Sequence, residues 1–125
     1  MKYLSKAYIY LSVSGKELDI KDFAELAQIN PTEVGENRFG EKFLEYKIEA
    51  KNANHGLDEA IDKLMQTLKL KSNEIKVYAS LRGLYIKIFV VIQSKNNENN
   101  GVFLNHKFIE FLNDIDAEFE FDTYI

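Results

Sequence analysis

The most regular hydrophobic pattern in the chain runs over residues 75–93, where apolar and polar residues alternate on both sides of Gly83. A period of two places every second side chain on the same face of a β-strand. The pattern therefore predicts an antiparallel β-hairpin in the middle of a sheet, with helices packed on its aliphatic side. The residues expected on that side are Ile75, Val77, Ala79, Leu81, Leu84, Ile86, Ile88, Val90 and Ile92.

Three other segments, at about residues 3–14, 43–50 and 118–124, alternate in the same way and predict further strands. Gly15 ends the first of them. In the last, Phe119 and Phe121 fall on one side, and the acidic residues fall on the other together with Tyr124. With the hairpin, these segments predict a sheet of about five strands.

Apolar residues spaced three and four apart predict three helices. The first spans about residues 20–27 with Asp19 as its N-cap, the second spans about 57–68, and the third begins near Asn105, another candidate N-cap. Asp and Asn suit this position because their side-chain oxygens accept the N–H groups that a helix start leaves unpaired. Residues 30–42 contain two glycines and one proline without an apolar period, and predict a long loop.

The predicted elements follow the order β-α-β-α-β-β-α-β. The last six spell the β-α-β-β-α-β pattern of ferredoxin-like folds, preceded by an added strand and helix. Right-handed crossovers would place all the helices on one face of the sheet. We therefore expect a single α+β domain, residues 1–125, built as a two-layer sandwich of mostly antiparallel strands.

Aromatic residues concentrate on the sheet face that the predicted helices leave uncovered, with Lys76, Glu118 and Glu120 among them. Exposed aromatic patches ringed by charge are typical of protein interfaces. Coverage by another chain, by a terminus or by the long loop is an alternative of equal weight. The candidate interaction face consists of Tyr8, Tyr10, Tyr78, Tyr85, Lys87, Phe89 and Tyr124.

Charge is distributed unevenly along a chain whose formal net charge is −4. Residues 63–95 hold seven basic residues and one acidic residue, whereas residues 96–125 hold one basic and seven acidic residues. Such a split favours complementary strands within one sheet over two surfaces for different partners. The acidic row on the last strand also resembles a cation site or an acid–base pair, although a solvated row is the commoner case.

The sequence contains no recognisable catalytic motif. It has no cysteine and only two histidines, His55 and His106, neither with a second ligand at metal-binding spacing. Neither a phosphate-binding loop nor a nucleophile-elbow motif is present. We therefore expect no enzymatic activity, no cofactor and no metal.

One stretch, R-G-L-Y-I-K-I-F from Arg82 to Phe89, loosely resembles the RNA-recognition signature. The stacking aromatics of that signature stand one and three residues after the glycine, where this chain has Leu84 and Ile86. The predicted acidic strand would also repel phosphate. The pattern therefore argues against nucleic-acid binding.

No stretch of the sequence approaches the roughly 18 apolar residues that a membrane helix needs. The first residues alternate like a strand and are interrupted by Lys6, unlike a signal peptide. The expected location is the cytoplasm, with no membrane partner.

Several segments resemble bacterial proteins of the domain-of-unknown-function 4279 family. They are the first strand ending in Ser-Gly, the segment L-D-I-K-D-F-A-E-L-A-Q-I-N-P-T with Gly35, and the closing F-I-E-F-L-N-D-I-D-A-E-F-E-F-D-T-Y. A tryptophan common in the family's second strand is replaced here by Tyr46 or Phe43. The resemblance implies a bacterial origin and no established activity. Some small bacterial proteins of this kind are thought to be immunity proteins against toxins.

Two functional hypotheses follow. The first is a non-enzymatic protein-binding module, including a toxin-neutralising immunity protein, that uses the candidate interaction face for a protein partner or a second copy. The alternative is a small-molecule or cation-binding domain that uses the 30–42 loop and the acidic C-terminal strand.

Overall fold

The computed structural model describes residues 6–51, 56–93 and 102–124. Within them the chain forms five strands and four helices. In chain order these are β1 (Lys6–Gly15), α1 (Ile20–Ala27), β2 (Glu33–Glu36), β3 (Lys42–Glu49), α2 (Leu57–Lys69), α3 (Ser72–Arg82), β4 (Tyr85–Gln93), α4 (His106–Asp114) and β5 (Glu118–Tyr124).

The strands form one mixed sheet in the order β2-β3-β1-β4-β5. Strand β1 is central and pairs antiparallel with β3 on one side and with β4 on the other. Strand β2 extends the sheet antiparallel to β3. Strand β5 lies parallel to β4, because the connection through α4 returns the chain to the same end of the sheet before β5 begins.

The helices pack on one face of this sheet. The alternate β1 residues Ile9, Leu11 and Val13 are fully buried there and share one core with buried residues from all four helices. Ile88 and Val90 continue the same core on β4. The predicted α+β class and the inward side of β4 are therefore confirmed, and the sheet has the predicted number of strands, although four of the five are those that were predicted.

Both predicted N-caps are confirmed. The Oδ1 atom of Asp19 accepts a hydrogen bond from the backbone N–H of Asp22 at 3.0 Å. The Oδ1 atom of Asn105 accepts one from the N–H of Phe108 at 2.9 Å. Each bond satisfies a donor that the first helical turn leaves unpaired, and so fixes where the helix begins.

The predicted hairpin over residues 75–93 is wrong in its first half, which is helix α3. Ile75, Tyr78 and Ala79 are buried at helical spacing, whereas Val77 and Leu81 are 48% and 78% exposed. Gly83, expected in a hairpin turn, is the left-handed C-cap of α3 with φ 62°, and its N–H bonds back to the last turn. The ferredoxin-like unit is therefore absent from the described chain, since a helix replaces one of its strands.

The predicted 30–42 loop contains strand β2 and a tight turn into β3. The Oδ1 atom of Asn37 accepts hydrogen bonds from the N–H groups of Phe39 at 2.9 Å and Glu41 at 3.0 Å. The backbone N–H of Asn37 also donates to the Glu41 carbonyl at 2.8 Å, so the Asn37 side chain reinforces the backbone bonds that close the turn. The order is thus β-α-β-β-α-α-β-α-β, with four helices in place of the predicted three.

Candidate interaction face

The sheet surface opposite the helices, called the open face here, is built from alternate residues of the strands. Directly paired residues of neighbouring strands share a face, so the register assigns its members. They are Lys6, Tyr8, Tyr10, Ser12 and Ser14 of β1; Glu33 and Gly35 of β2; Phe43, Glu45, Lys47 and Glu49 of β3; Tyr85, Lys87, Phe89, Val91 and Gln93 of β4; and Glu118, Glu120, Asp122 and Tyr124 of β5.

An aromatic stack occupies the centre of the open face. The rings of Tyr10 and Phe89 lie nearly parallel, with centroids 4.6 Å apart and planes at 10°. Tyr8 continues the stack along β1, 6.1 Å from Tyr10. The Nζ atoms of Lys47 and Lys87 lie 4.8 Å and 5.1 Å from the ring centroids of Tyr8 and Phe89. These cation–π contacts hold the rings in place from both sides.

A second aromatic row crosses the face at the opposite end of β1. Ser14 is paired with Phe43 on one side and with Tyr85 on the other. The Phe43 ring covers Gly35 of β2, whereas Tyr85 is 65% exposed. Tyr85 is therefore a large apolar surface that the described fold leaves open to solvent.

Two carboxylates meet near the β2 edge of the face. Glu33 and Glu45 are directly paired across β2 and β3. Partial burial, the charge of Glu33 and a hydrogen bond with the Glu33 side chain raise the pKa of Glu45, against a smaller opposing effect of Lys47. The fold thus holds negative charge here that it only partly compensates.

A second pair of neighbouring carboxylates, Glu120 and Asp122, lies on β5. Lys87 of β4 forms an ion pair with Glu120, with Nζ and Oε1 3.0 Å apart. A hydrogen bond with Glu120 is the main reason that the pKa of Lys87 is raised. Desolvation is the largest cause that raises the pKa of Asp122. The charge of Glu120 and a hydrogen bond with the Glu120 side chain raise it further. Among the residues that the structure describes, Lys87 is the one lysine that forms an ion pair with the row of Glu118, Glu120 and Asp122.

The two stacked tyrosines resist ionisation. Burial, followed by the charge of Glu45, raises the pKa of Tyr10 to about 12. Burial and then the neighbouring Tyr124 and Asp122 raise the pKa of Tyr8. Both phenols therefore remain neutral hydrogen-bonding groups at ordinary pH, surrounded by carboxylates.

Six of the seven residues predicted for the interaction face lie on the open face, and Tyr78 does not. Tyr78 belongs to α3 and is only 7% exposed. Its ring packs edge-on against Phe23 at 5.7 Å, and the guanidinium of Arg82 lies 3.7 Å from the ring centroid. Lys76 is likewise on α3 and contributes no charge to the face. Both errors follow from the helix that the alternation concealed.

The predicted candidate interaction face does not include the β2 and β3 residues of the open face. Alternation in residues 43–50 already indicates that Glu45 and Lys47 point away from the helices. Their closeness to Tyr8 and Tyr10 depends on β3 pairing with β1, which the sequence pattern does not indicate. Glu33 is absent from the prediction because residues 30–42 show no alternation and indicate a loop.

The two parts of the alternative ligand site lie far apart. The 30–42 segment occupies the β2 edge of the sheet and the acidic strand β5 occupies the opposite edge. Four strand spacings separate them, roughly 19 Å, so one small ligand cannot contact both. Asn30 and Pro31 line an open groove beside α1, together with Lys21 and Glu25. In the described ranges, no three or more His, Cys, Asp or Glu residues are arranged to hold a metal ion.

A five-stranded mixed sheet with the described helices on one side and an acidic, aromatic face on the other defines an α+β protein. The chain belongs to the family described as "Domain of unknown function (DUF4279)", whose model matches residues 5–125. The resemblance inferred from the sequence is thereby confirmed. No curated protein and no solved structure matches the chain. None of the helices in the described residues is long and apolar enough to cross a bilayer.

Proposed function

We propose that this protein is a non-enzymatic protein-binding module that receives its partner on the open face. The observation that carries the proposal is the aromatic stack of Tyr8, Tyr10 and Phe89 on the side of the sheet away from the helices. Rigid aromatic rings lose little conformational entropy on binding and dominate the energetics of many interfaces. Exposed Tyr85 and Tyr124 extend this surface to two corners of the face.

The charge of the face indicates the kind of partner. Its members include six carboxylates (Glu33, Glu45, Glu49, Glu118, Glu120 and Asp122) and three lysines (Lys6, Lys47 and Lys87), a formal charge of −3. Such a surface attracts a protein with a basic patch and repels both a phosphate backbone and a second copy of itself. The proposed occupant is therefore a basic protein.

A toxin-neutralising immunity protein is the specific form of this function that we favour. A toxin that cleaves nucleic acid needs a basic surface to bind phosphates. An acidic face with aromatic anchors is complementary to that surface and would cover it. The same complementarity would speed association through electrostatic steering.

Photo-crosslinking from chosen positions tests the proposal. A photoreactive amino acid at Ser12, in the middle of the open face, should crosslink one basic protein in the native cell. The same amino acid at Ser80 on α3 serves as the control, because that position is exposed on the helix side. Identical crosslinks from both positions, or none from Ser12 in a folded protein, would refute open-face binding.

The captured protein is then purified and its affinity measured directly. We expect Tyr85→Ser and Phe89→Ser to weaken binding by roughly tenfold or more each, as expected for aromatic anchors. Val77→Ser on α3 provides a matched control, because it also replaces an exposed apolar side chain. Light scattering tests whether the partner is a second copy of this chain. A wild-type dimer that Tyr85→Ser dissociates would show that it is, and would overturn the proposal of a basic partner.

A further inference from the structure

Strand β5 is the longer of the two strands at the edges of the sheet. It spans seven residues, Glu118–Tyr124, against four in β2. Within the residues that the structure describes, β5 pairs only with β4 and has no strand on its outer side. An edge strand of this length, roughly 23 Å, offers a row of backbone N–H and C=O groups to a partner strand.

The side chains of β5 alternate between two kinds of surface. Glu118, Glu120 and Asp122 stand in one row on the open face. Phe119 and Phe121 point to the helix side, where both are only partly buried and Phe119 packs edge-on against Phe108. A strand added beside β5 would therefore meet carboxylates and aromatic rings at alternate positions.

Charge complementarity selects the strand that fits this edge. Two β5 strands paired with each other would place carboxylates opposite carboxylates, which disfavours self-pairing. Among the described residues, Lys87 is the only cation within ion-pair distance of the acidic row, and it contacts Glu120. A partner strand with Lys or Arg at every second position would supply the missing positive charge.

We propose that a partner protein adds a strand to the outer edge of β5, with alternating basic and apolar side chains. Its basic side chains lie on the open face beside Glu118, Glu120 and Asp122, and its apolar side chains lie beside Phe119 and Phe121. This inference rests on the proposed function, because the added strand brings the partner's remaining surface next to Tyr124 and the aromatic stack. Main-chain hydrogen bonds supply affinity in this mode of recognition, and the alternate side chains supply specificity.

Amide chemical shifts of the isotope-labelled protein test the inference with a defined probe. The probe is the synthetic peptide Lys-Val-Arg-Val-Lys-Val-Arg-Val, and the comparison peptides are Glu-Val-Asp-Val-Glu-Val-Asp-Val and a block peptide with all basic residues first. We expect the alternating basic peptide to shift the amides of residues 118–124, and both comparison peptides to have little effect.

Charge variants distinguish peptide binding at the β5 edge from general electrostatic attraction to the protein. We expect Glu118→Lys/Asp122→Lys, and the milder Glu118→Gln/Asp122→Asn, to weaken peptide binding, the first by roughly tenfold or more. Glu17→Lys/Glu36→Lys makes the same change in net charge at exposed sites away from β5 and should leave affinity close to that of the wild type. A similar loss of affinity in this control would show that net charge alone explains the weaker binding, and would overturn the inference.

Edge pairing at β5 and partner binding on the open face can fail separately, and different results reveal each failure. Shifts confined to the centre of the open face, around Ser12 and Phe89, would overturn edge pairing while leaving the protein-binding function intact. The absence of any shift with the basic peptide would also overturn edge pairing. Crosslinking from Ser12 decides the open-face function independently of either result.

Discussion

The ring of Phe43 on β3 lies directly against the position that the β-carbon of any other residue at position 35 would occupy. A β-carbon built on Gly35 falls 2.7 Å from both Cε1 and Cζ of that ring, well inside contact distance. The two residues are directly paired across β2 and β3. An aromatic ring that covers a cross-strand glycine replaces the packing that the glycine lacks, and here it helps to hold the short strand β2 against the sheet.

We therefore expect Gly35→Ala to destabilise the protein by about 1–2 kcal/mol, since the added methyl group displaces the ring. Urea unfolding measures the loss. In a Phe43→Leu background, where the clash is relieved, the same substitution should cost clearly less. An equal loss in both backgrounds would show that the ring is not the cause.

Tyr78 and Tyr85 should respond very differently to truncation. Tyr78→Ala removes a ring buried between Phe23 and Arg82, and we expect a loss of about 3 kcal/mol. Tyr85→Ala removes a ring that is 65% exposed and should change stability by less than about 0.5 kcal/mol. Chemical denaturation of both variants provides the comparison. Similar losses would contradict the placement of Tyr78 on a helix in the core.

Alkaline pH should destabilise the protein through Tyr10. The pKa of Tyr10 is raised to about 12 in the folded chain, so the unfolded chain releases this proton first as the pH rises. The free energy of unfolding should therefore fall between pH values of about 10 and about 12. Tyr10→Phe should lose less stability over that interval, as measured by urea unfolding at a series of pH values. A parallel decline of both proteins would exclude Tyr10 as the source.

Glu45 should oppose folding at neutral pH. Its pKa is raised in the folded chain, chiefly by burial and by Glu33, so the folded state favours its protonated form. Glu45→Gln should therefore raise the free energy of unfolding at neutral pH by less than about 1 kcal/mol, as measured by urea unfolding. The gain should vanish at about pH 3. Glu17→Gln, at an exposed site away from the sheet, is the matched control. An increase that persists in acid would point to another cause.

Strand alternation was sufficient to predict much of the open face. Tyr8 and Tyr10 follow from the pattern in β1, and Phe89 follows from the pattern in β4. Their mutual contact does not, because no local pattern indicates that β1 lies between β3 and β4. Strand order results from contacts between residues far apart in sequence, and these leave no periodic signal along the chain.

The error in α3 has a different origin. Residues 75–81 contain two overlapping apolar patterns, one of period two through Val77 and Leu81 and one of helical spacing through Ile75, Tyr78 and Ala79. Packing of the helical set into the core with Phe23 favours the helix, and it leaves Val77 and Leu81 exposed. Tertiary contacts thus override a local strand preference, as they often do for short segments.

The central position of β1 determines how the protein can fold during synthesis. Strand β1 precedes both of its partners in the sequence: it can pair with β3 once residue 49 has been synthesised, but with β4 only once residue 93 has been synthesised. Strand β5 follows β4 in the sequence and pairs along the β4 edge that includes Val90, Val91 and Ile92. A nascent chain that stalls before β5 would expose this apolar strand edge. Stalled intermediates of this protein should therefore depend on chaperones more than the finished protein does.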